Sequence, residues 1–260
     1  MTIRGCLIDL EGVLYQDGAA LPGARNAITD LKARGLSLRF LTNTTTGPRR
    51  AIVERLTGMG LDVDAADVFT PPIAAHRALK AKGAKRVHLA AVPALAEDFA
   101  DFDLVEGTPD ARPDAVVLGD LYKGFTWERL NTLFRMVRAG AELIALHKNR
   151  VSRRDGVIAL DLGPFVAAIE YAAHTDALVV GKPAAAFFDL ALADMGLAAE
   201  AVVMVGDDIE SDIGGAKAAG LRAVQVRTGK YSSRDDDHPD VQPDGRIDDI
   251  TTLADWIETC

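Results

Sequence analysis

The sequence predicts an α/β protein in which a parallel-sheet core is interrupted by an inserted α/β unit. Three observations predict it. Short apolar runs alternate with helical patterns along the chain, joined by short links, which is the signature of a parallel sheet covered by helices. Four of these runs end in a polar cluster and lead into a helix. Between the second and the third of them lies a stretch of roughly one hundred residues, a domain's worth, with strands and helices of its own.

The elements follow in order. Cys6-Leu7-Ile8 reads as a short buried strand that ends in Asp9, with Glu11 two residues on and Gly12 free to turn sharply. Ala24 to Arg34 carries Ala27, Ile28 and Leu31 at helical spacing, and Gly35 is a natural stop. Ser37 to Leu41 is the next strand, and it runs into Thr42-Asn43-Thr44-Thr45-Thr46. Helices are predicted over Arg49 to Met59 and Ile73 to Lys82. In the inserted stretch, strands are predicted at Arg86 to Ala90, Ala115 to Leu118 and Glu142 to Leu146, with helices at Thr126 to Ala139 and Pro164 to Ala173. No strand-end carboxylate cluster is expected there. The core resumes with a strand at Ala177 to Val180, then Gly181-Lys182-Pro183 and a helix from Ala184 to Met195. A strand at Ala201 to Val205 leads into Gly206-Asp207-Asp208, Asp212 and a helix from Ile213 to Ala219. Arg222 to Val226 is the last strand, Arg234 to Asp237 a solvated charge run, and Asp248 to Glu258 a closing helix. The domains expected are therefore a core over residues 1–78 and 179–260 and an insertion over 79–178.

Composition excludes several function classes. The 260 residues are 48% apolar, enough for a real core. The net charge is -9 and is spread along the chain, which argues against nucleic acid or an anionic membrane as partner. A phosphorylated small molecule needs only a local positive site. The two cysteines, Cys6 and Cys260, make no disulfide framework, and no signal peptide or spanning segment is expected, so the default location is the cytoplasm. The five histidines show no zinc-ligand spacing and read as surface or satisfied residues. Trp127 and Trp256 read as packing residues.

In a parallel sheet, Asp9 with Glu11, Thr42 with Asn43, Lys182, and Asp207 with Asp208 and Asp212 all reach the same edge. Each alone has a plainer reading: an N-cap cluster, an exposed lysine, a pair of capping aspartates. Their common position at strand ends is what favours chemistry. Asp9 is a candidate nucleophile, because carboxylates form aspartyl-phosphates. A phosphate beside a carboxylate needs cations, which Lys182 and a Mg²⁺ ion on Asp9 and Asp207 would supply. The Thr42 hydroxyl and the Asn43 N–H suit a phosphoryl oxygen. Glu11 is placed to give a proton to a leaving group and take one from water.

The order Asp9-Leu10-Glu11-Gly12-Val13, Leu41-Thr42-Asn43, Gly181-Lys182-Pro183 and Gly206-Asp207-Asp208 with Asp212 resembles the four motifs of the haloacid dehalogenase superfamily. The place of the insertion resembles class IIA. The stretches Ala145 to Arg150 and Gly163 to Val166 are similar to its phospholysine phosphohistidine inorganic pyrophosphate phosphatase branch. The resemblance implies a Rossmann-like catalytic core with an α/β cap, and Mg²⁺ as cofactor. It implies Asp9 as nucleophile and metal ligand, Glu11 as a metal ligand through its backbone carbonyl, and Asp207 as the last protein ligand. Asp208 and Asp212 would support them, while Thr42, Asn43 and Lys182 would hold the phosphate. Most phosphatases of the superfamily carry aspartate at the position of Glu11. Glutamate keeps the carboxyl and moves it outward by one methylene.

The function expected is a Mg²⁺-dependent phosphatase for a small phosphorylated metabolite, with selection by residues near Asp120 to Phe125 and His147 to Arg150. A homodimer is compatible with this reading. Three rivals remain: a low-turnover phosphate-binding or regulatory protein that Glu11 would permit, a phospho-accepting signalling domain, and a carbon–halogen hydrolase that needs no Mg²⁺.

Overall fold

The structure, a computed structural model, describes residues 2–154 and 157–259, without the side chains of Arg153 and Arg154. Cys260 lies outside the described residues, and Cys6 is a free buried thiol. The chain forms two compact units. The first comprises Met1–Thr42, Arg49–Phe69 and Lys182–Cys260; the second comprises Asn43–Pro48 and Thr70–Gly181.

In the first unit, β1 (Gly5–Asp9) is buried along its whole length, as a strand covered on both faces must be. A small hairpin, β2 (Tyr15–Gln16) and β3 (Ala19–Ala20), leads to α1 (Ala24–Ala33). Ala24, Ala27, Ile28 and Leu31 form the buried stripe of α1, the spacing of an amphipathic helix. Strand β4 (Ser37–Leu41), helix α2 (Arg49–Gly58) and strand β5 (Val68–Phe69) follow.

The chain then builds the second unit. Helix α3 (Pro71–Ala81) starts where the Thr70 hydroxyl accepts the Ile73 N–H and proline fills the first turn. After it come β6 (Arg86–Ala90), β7 (Asp103–Leu104), β8 (Ala115–Leu118), α4 (Trp127–Arg138) and β9 (Glu142–Ala145). The antiparallel pair β10 (Val151–Arg154) and β11 (Val157–Leu160), helix α5 (Leu162–Ala173) and β12 (Leu178–Val179) complete it. The parallel sheet has the order β12-β9-β8-β6-β7. Leu133, Met136 and Val137 of α4 and Val166 and Ile169 of α5 pack with Val116 and Leu118 of β8 in one core.

Back in the first unit, α6 (Ala185–Met195), β13 (Val202–Gly206), α7 (Gly215–Ala218), β14 (Arg222–Val226), β15 (Gly245–Ile247) and α8 (Leu253–Glu258) follow. Its sheet is parallel, in the order β15-β14-β13-β1-β4-β5. The chain leaves β1 toward β4 and β5 and returns on the other side of β1. Strand β1 therefore stands at the topological switch point, where the carboxyl ends of the strands open a crevice.

The structure corrects several sequence expectations. The strand near Leu178 does not open the core: it pairs with β9 by Leu178↔Ile144 and Val179↔Ala145, so the second unit runs on to Gly181 rather than 178. At its other end that unit begins at Thr70, because α3 belongs to it. The chain coils from Ile209, not Ile213, as a turn of π-helix, since the Asp208 carboxylate accepts the Glu210 and Ser211 N–H groups. Ser233–Asp237 is a 3-10 turn rather than a free charge run: Ser232 and Asp235 close a capping box, and Asp235 accepts from the buried Gln225 at 2.8 Å. The closing helix begins only at Leu253, after a tight turn in which Asp249 accepts the Thr251 N–H. Trp127 is 73% exposed, because it lies off the Leu133–Met136–Val137 stripe of α4.

Phe187 is fully buried, with its ring centroid 5.4 Å from Phe69 and 5.9 Å from Phe188. Truncating such a residue leaves a cavity, so Phe187→Ala should cost about 3–5 kcal/mol in a urea titration. A loss below about 1 kcal/mol would mean that this layer can collapse around the gap.

Candidate active site

Asp9 ends β1 and lies opposite Leu41 of β4, so Thr42 stands one residue further on the neighbouring strand. On the other side, β13 pairs with β1 as far as Ile8↔Val205 and delivers Asp207 two residues later. Register alone brings these residues to one edge. Asp9, Thr42, Lys182, Asp207 and Asp212 are all buried.

The ammonium of Lys182 donates to Asp9 and, at 2.6 Å, to Asp212. Ligand oxygens of Asp9, Asp207 and Asp212 all lie within 4.8 Å of one another. When all three carboxyls are ionised, the single ammonium leaves two negative charges uncompensated, the charge of a divalent cation. The donors are all hard oxygens, the set that suits Mg²⁺, Ca²⁺ or Mn²⁺ rather than zinc or copper. The residues thus fit a divalent metal.

Glycines shape the pocket. Gly12 has φ +88°, and a Cβ there would fall 2.1 Å from Asp207 Oδ2; at Gly229, φ +62°, it would fall 2.0 Å from the same oxygen. Asp207 is held between two bare backbones, and its Oδ2 accepts the Lys230 N–H at 2.7 Å. The Thr228 hydroxyl donates to the Gly12 carbonyl and ties the two loops together. Sequence reading missed the Gly229-Lys230 turn, although a glycine just past the apolar β14 is the same signal that marks Gly12.

Burial is the main influence on the carboxyls. It pushes Asp9 up to about 7, with Lys182 pulling the other way, and it pushes Asp207 up to about 6 against the Lys230 N–H. Burial opposes the charge on Lys182, but Asp212 and Asp9 outweigh it and hold its pKa above the ordinary lysine value. Asp208 is not part of the cluster. Burial would raise it, yet the Ser211 N–H and the Lys230 ammonium at 3.1 Å hold it below the usual carboxylate range. Glu11 is exposed and bridged by backbone to Tyr15. Asn43 groups with the second unit, where its side-chain oxygen lies 3.3 Å from a Cβ built on Gly181.

The second unit holds a cluster that the sequence reading denied. Asp120, just past β8, His147, just past β9, and Asp161, ahead of α5, are buried with ligand atoms within 4.8 Å of one another. His147 Nε2 is 3.5 Å from Asp120 Oδ2, and the Thr45 hydroxyl donates to Asp120. The residues were legible as strand-end groups. Asp120 and His147 fall in the two stretches expected to select the substrate, but only the pairing of β8 with β9 makes them neighbours, and Asp161 was not singled out.

Two family models match the chain: one described as haloacid dehalogenase-like hydrolase over residues 6–105, and a HAD-hydrolase-like one over 179–253. A phospholysine phosphohistidine inorganic pyrophosphate phosphatase of Bos taurus is 38% identical over 261 residues, covering 98% of this chain and 94% of the relative. The chain belongs to the haloacid dehalogenase-like hydrolase family. It is a hydrolase built on the fold expected, a Rossmann-like core with an inserted α/β cap. The haloacid dehalogenase-like hydrolase domain-containing protein 2 of Bos taurus is 40% identical over 235 residues, 90% of this chain and 88% of that one. Among solved structures, a 4-nitrophenylphosphatase from Thermotoga maritima superposes with a TM-score of 0.83 at 30% identity, over 98% of this chain and 97% of the other. Among the described residues, no helix is long and apolar enough to cross a membrane.

Two predictions test this site. Gly12→Ala combines a left-handed backbone with a collision against Asp207. It should cost about 1–3 kcal/mol of stability and weaken divalent-metal binding. Calorimetric titration with Mg²⁺ checks it, and unchanged affinity would place Asp207 outside the metal site.

The other concerns pH. An acid whose pKa is higher in the folded than in the unfolded chain stabilises the fold below its unfolded pKa, and that stabilisation is lost as pH rises through the folded value. For Asp9 the window runs from 3.8 to about 7, and for Asp207 from 3.8 to about 6. In EDTA, the melting temperature should therefore fall as pH rises through this window. Mg²⁺ should restore more at the alkaline end, where both carboxylates are ionised. Asp9→Asn should flatten the profile; an equally steep profile in that variant would assign the pH dependence elsewhere.

Proposed function

We propose that the chain is a Mg²⁺-dependent phosphatase that transfers the phosphoryl group of a small metabolite to Asp9 and then to water. The observation that carries this reading is the buried Asp9 at the switch point, bonded to Lys182 and grouped with Asp207 and Asp212. The named phosphatase relatives support it.

In the first half-reaction an Asp9 carboxylate oxygen attacks phosphorus, and the bond from phosphorus to the leaving group breaks. Glu11 gives the leaving atom its proton. In the second, Glu11 takes a proton from water, the hydroxide oxygen attacks phosphorus, and the aspartyl-phosphate opens to free phosphate and Asp9. Lys182, the Thr42 hydroxyl and Asn43 hold the phosphoryl oxygens and offset their repulsion with Asp9. Bound Mg²⁺, on Asp9, Asp207 and the Glu11 backbone carbonyl, would add charge to that balance. Asp212 positions Lys182, and Asp208 caps the turn that carries Asp212.

The inserted unit would serve as the cap and choose the substrate. It offers a crevice of about 440 Å³ lined by Asp120, Phe125, Asp161 and Phe165, with the two phenylalanine rings stacked at 4.1 Å. The leaving group would be an alcohol, a phosphate or an amine, and the metabolite would be met in the cytoplasm. The low-turnover alternative keeps one observation in its favour, the exposed carboxyl of Glu11 with its extra methylene.

Asp9→Asn should abolish hydrolysis of 4-nitrophenyl phosphate with the fold intact by circular dichroism. Retention of more than about a hundredth of the wild-type rate would remove Asp9 as nucleophile. Glu11→Gln keeps the shape and removes the proton. It should slow alkyl phosphates by about a hundredfold or more, and nitrophenyl phosphate far less, because nitrophenolate leaves unprotonated. An equal small loss on both substrates favours the low-turnover alternative.

A further inference from the structure

The inserted unit is itself a doubly wound sheet. Taken in chain order, its strands β6, β7, β8, β9 and β12 lie in space as second-first-third-fourth-fifth. The switch point of that order falls between β6 and β8, and crevices at such points bind ligands in open α/β sheets. A crevice of about 410 Å³ lies there, lined by His88 to Ala91, Gly107, Leu121 and the first two turns of α4.

Its walls depart from what packing alone asks. Past the first residues Arg86 of β6 and Glu142 of β9, His88 is the one polar side chain of the central strands β6, β8 and β9 among the described residues. It pairs in register with Val116, on the face that α4 covers. Its Nδ1 lies 2.9 Å from the Val105 carbonyl, an arrangement in which Nδ1–H donates and Nε2 is left as an acceptor. Helix α4 shows the same departure. Leu133 and Met136 form its buried stripe, and the residues four positions earlier, on the same face, are Arg129 and Thr132. Both line the crevice, with Glu128 beside them. The Thr132 hydroxyl donates to the Glu128 carbonyl at 2.9 Å and keeps its lone pairs for other donors. The floor is small: Ala90, Ala91 and Gly107. A Cβ on Gly107 would fall 2.9 Å from the His88 ring, so that glycine keeps the imidazole accessible. Breaks of a local pattern that coincide at one crevice are the mark of a functional site.

We propose that this crevice binds a phosphorylated sugar, independently of the Asp9 site. Arg129 supplies the planar cation for a phosphate, while the Glu128 carboxylate, His88 Nε2 and Thr132 supply acceptors for hydroxyl groups. Leu121 covers the carbon skeleton. The volume suits a pentose or hexose phosphate.

The test uses the full-length Asp9→Asn chain, which cannot turn the probe over. Ribose 5-phosphate, glucose 6-phosphate and inorganic phosphate are titrated by calorimetry, with amide hydrogen exchange as the local readout. A sugar phosphate should bind saturably and slow exchange across Arg86–Ala91 and Thr126–Leu133. Arg129→Gln should weaken that binding by about tenfold or more, and leave nitrophenyl phosphate turnover within about twofold when placed in the otherwise wild-type chain. Glu128→Gln, at an exposed position that folding tolerates, should weaken the sugar phosphate but not inorganic phosphate. No protection in these segments at about 10 mM of either sugar phosphate overturns the proposal. So does binding that Lys182→Ala removes while Arg129→Gln leaves it intact, because the probe then sits at the Asp9 site. Equal affinity for inorganic phosphate and both sugar phosphates would reject the sugar.

Discussion

The bond network of Lys182 is the constraint on which the first unit depends. A buried ammonium is costly unless paired, and a buried carboxylate equally so. Here one ammonium faces Asp9 at the end of β1 and Asp212 on the turn after β13. The rest of the architecture follows from keeping these groups together. The strands on either side of β1 must be parallel and in register so that their polar ends meet. The turn after β13 must coil at once to bring Asp212 back, and Asp208 makes it coil. The loops at Gly12 and Gly229 must be bare so that Asp207 fits. Even so, the negative charge exceeds the positive, and that excess is what a divalent ion would answer.

Much of this was legible in the sequence, and for one reason. A parallel strand buried on both faces writes itself as an apolar run, so the polar residues just past its end stand out. Asp9, Thr42, Asp207 and the strands that carry them were read in this way. What was not legible depended on pairing between distant segments. Leu178–Val179 reads as apolar whichever sheet it joins, and only its pairing with β9 assigns it to the inserted unit. The Asp120–His147–Asp161 cluster needs β8 and β9 to be neighbours before its members can be recognised as one group. At Ser233–Asp237 the Ser232–Asp235 capping pair is local, but the tie of Asp235 to Gln225 on β14 exists only in the folded chain.

Both units obey the same rule for different ends. Each is a parallel sheet with a switch point, and at each the lining departs from apolar packing. In the first unit the departure is acidic and buried, which suits a metal and a reacting phosphate. In the second, beside β6, it mixes Arg129 with acceptors along a crevice, which suits recognition rather than reaction.

Cys6 is the second residue of β1, three residues before Asp9, and is wholly buried. Burial pushes its thiol up to about 12, so at neutral pH it is protonated as well as shielded. An alkylating reagent can reach it only when the central strand itself comes apart. The rate of that labelling is a built-in clock for the opening of the sheet beneath the Asp9–Lys182 cluster. Because the same strand carries Asp9, anything that grips Asp9 should slow the clock, which makes ligand binding readable without any turnover.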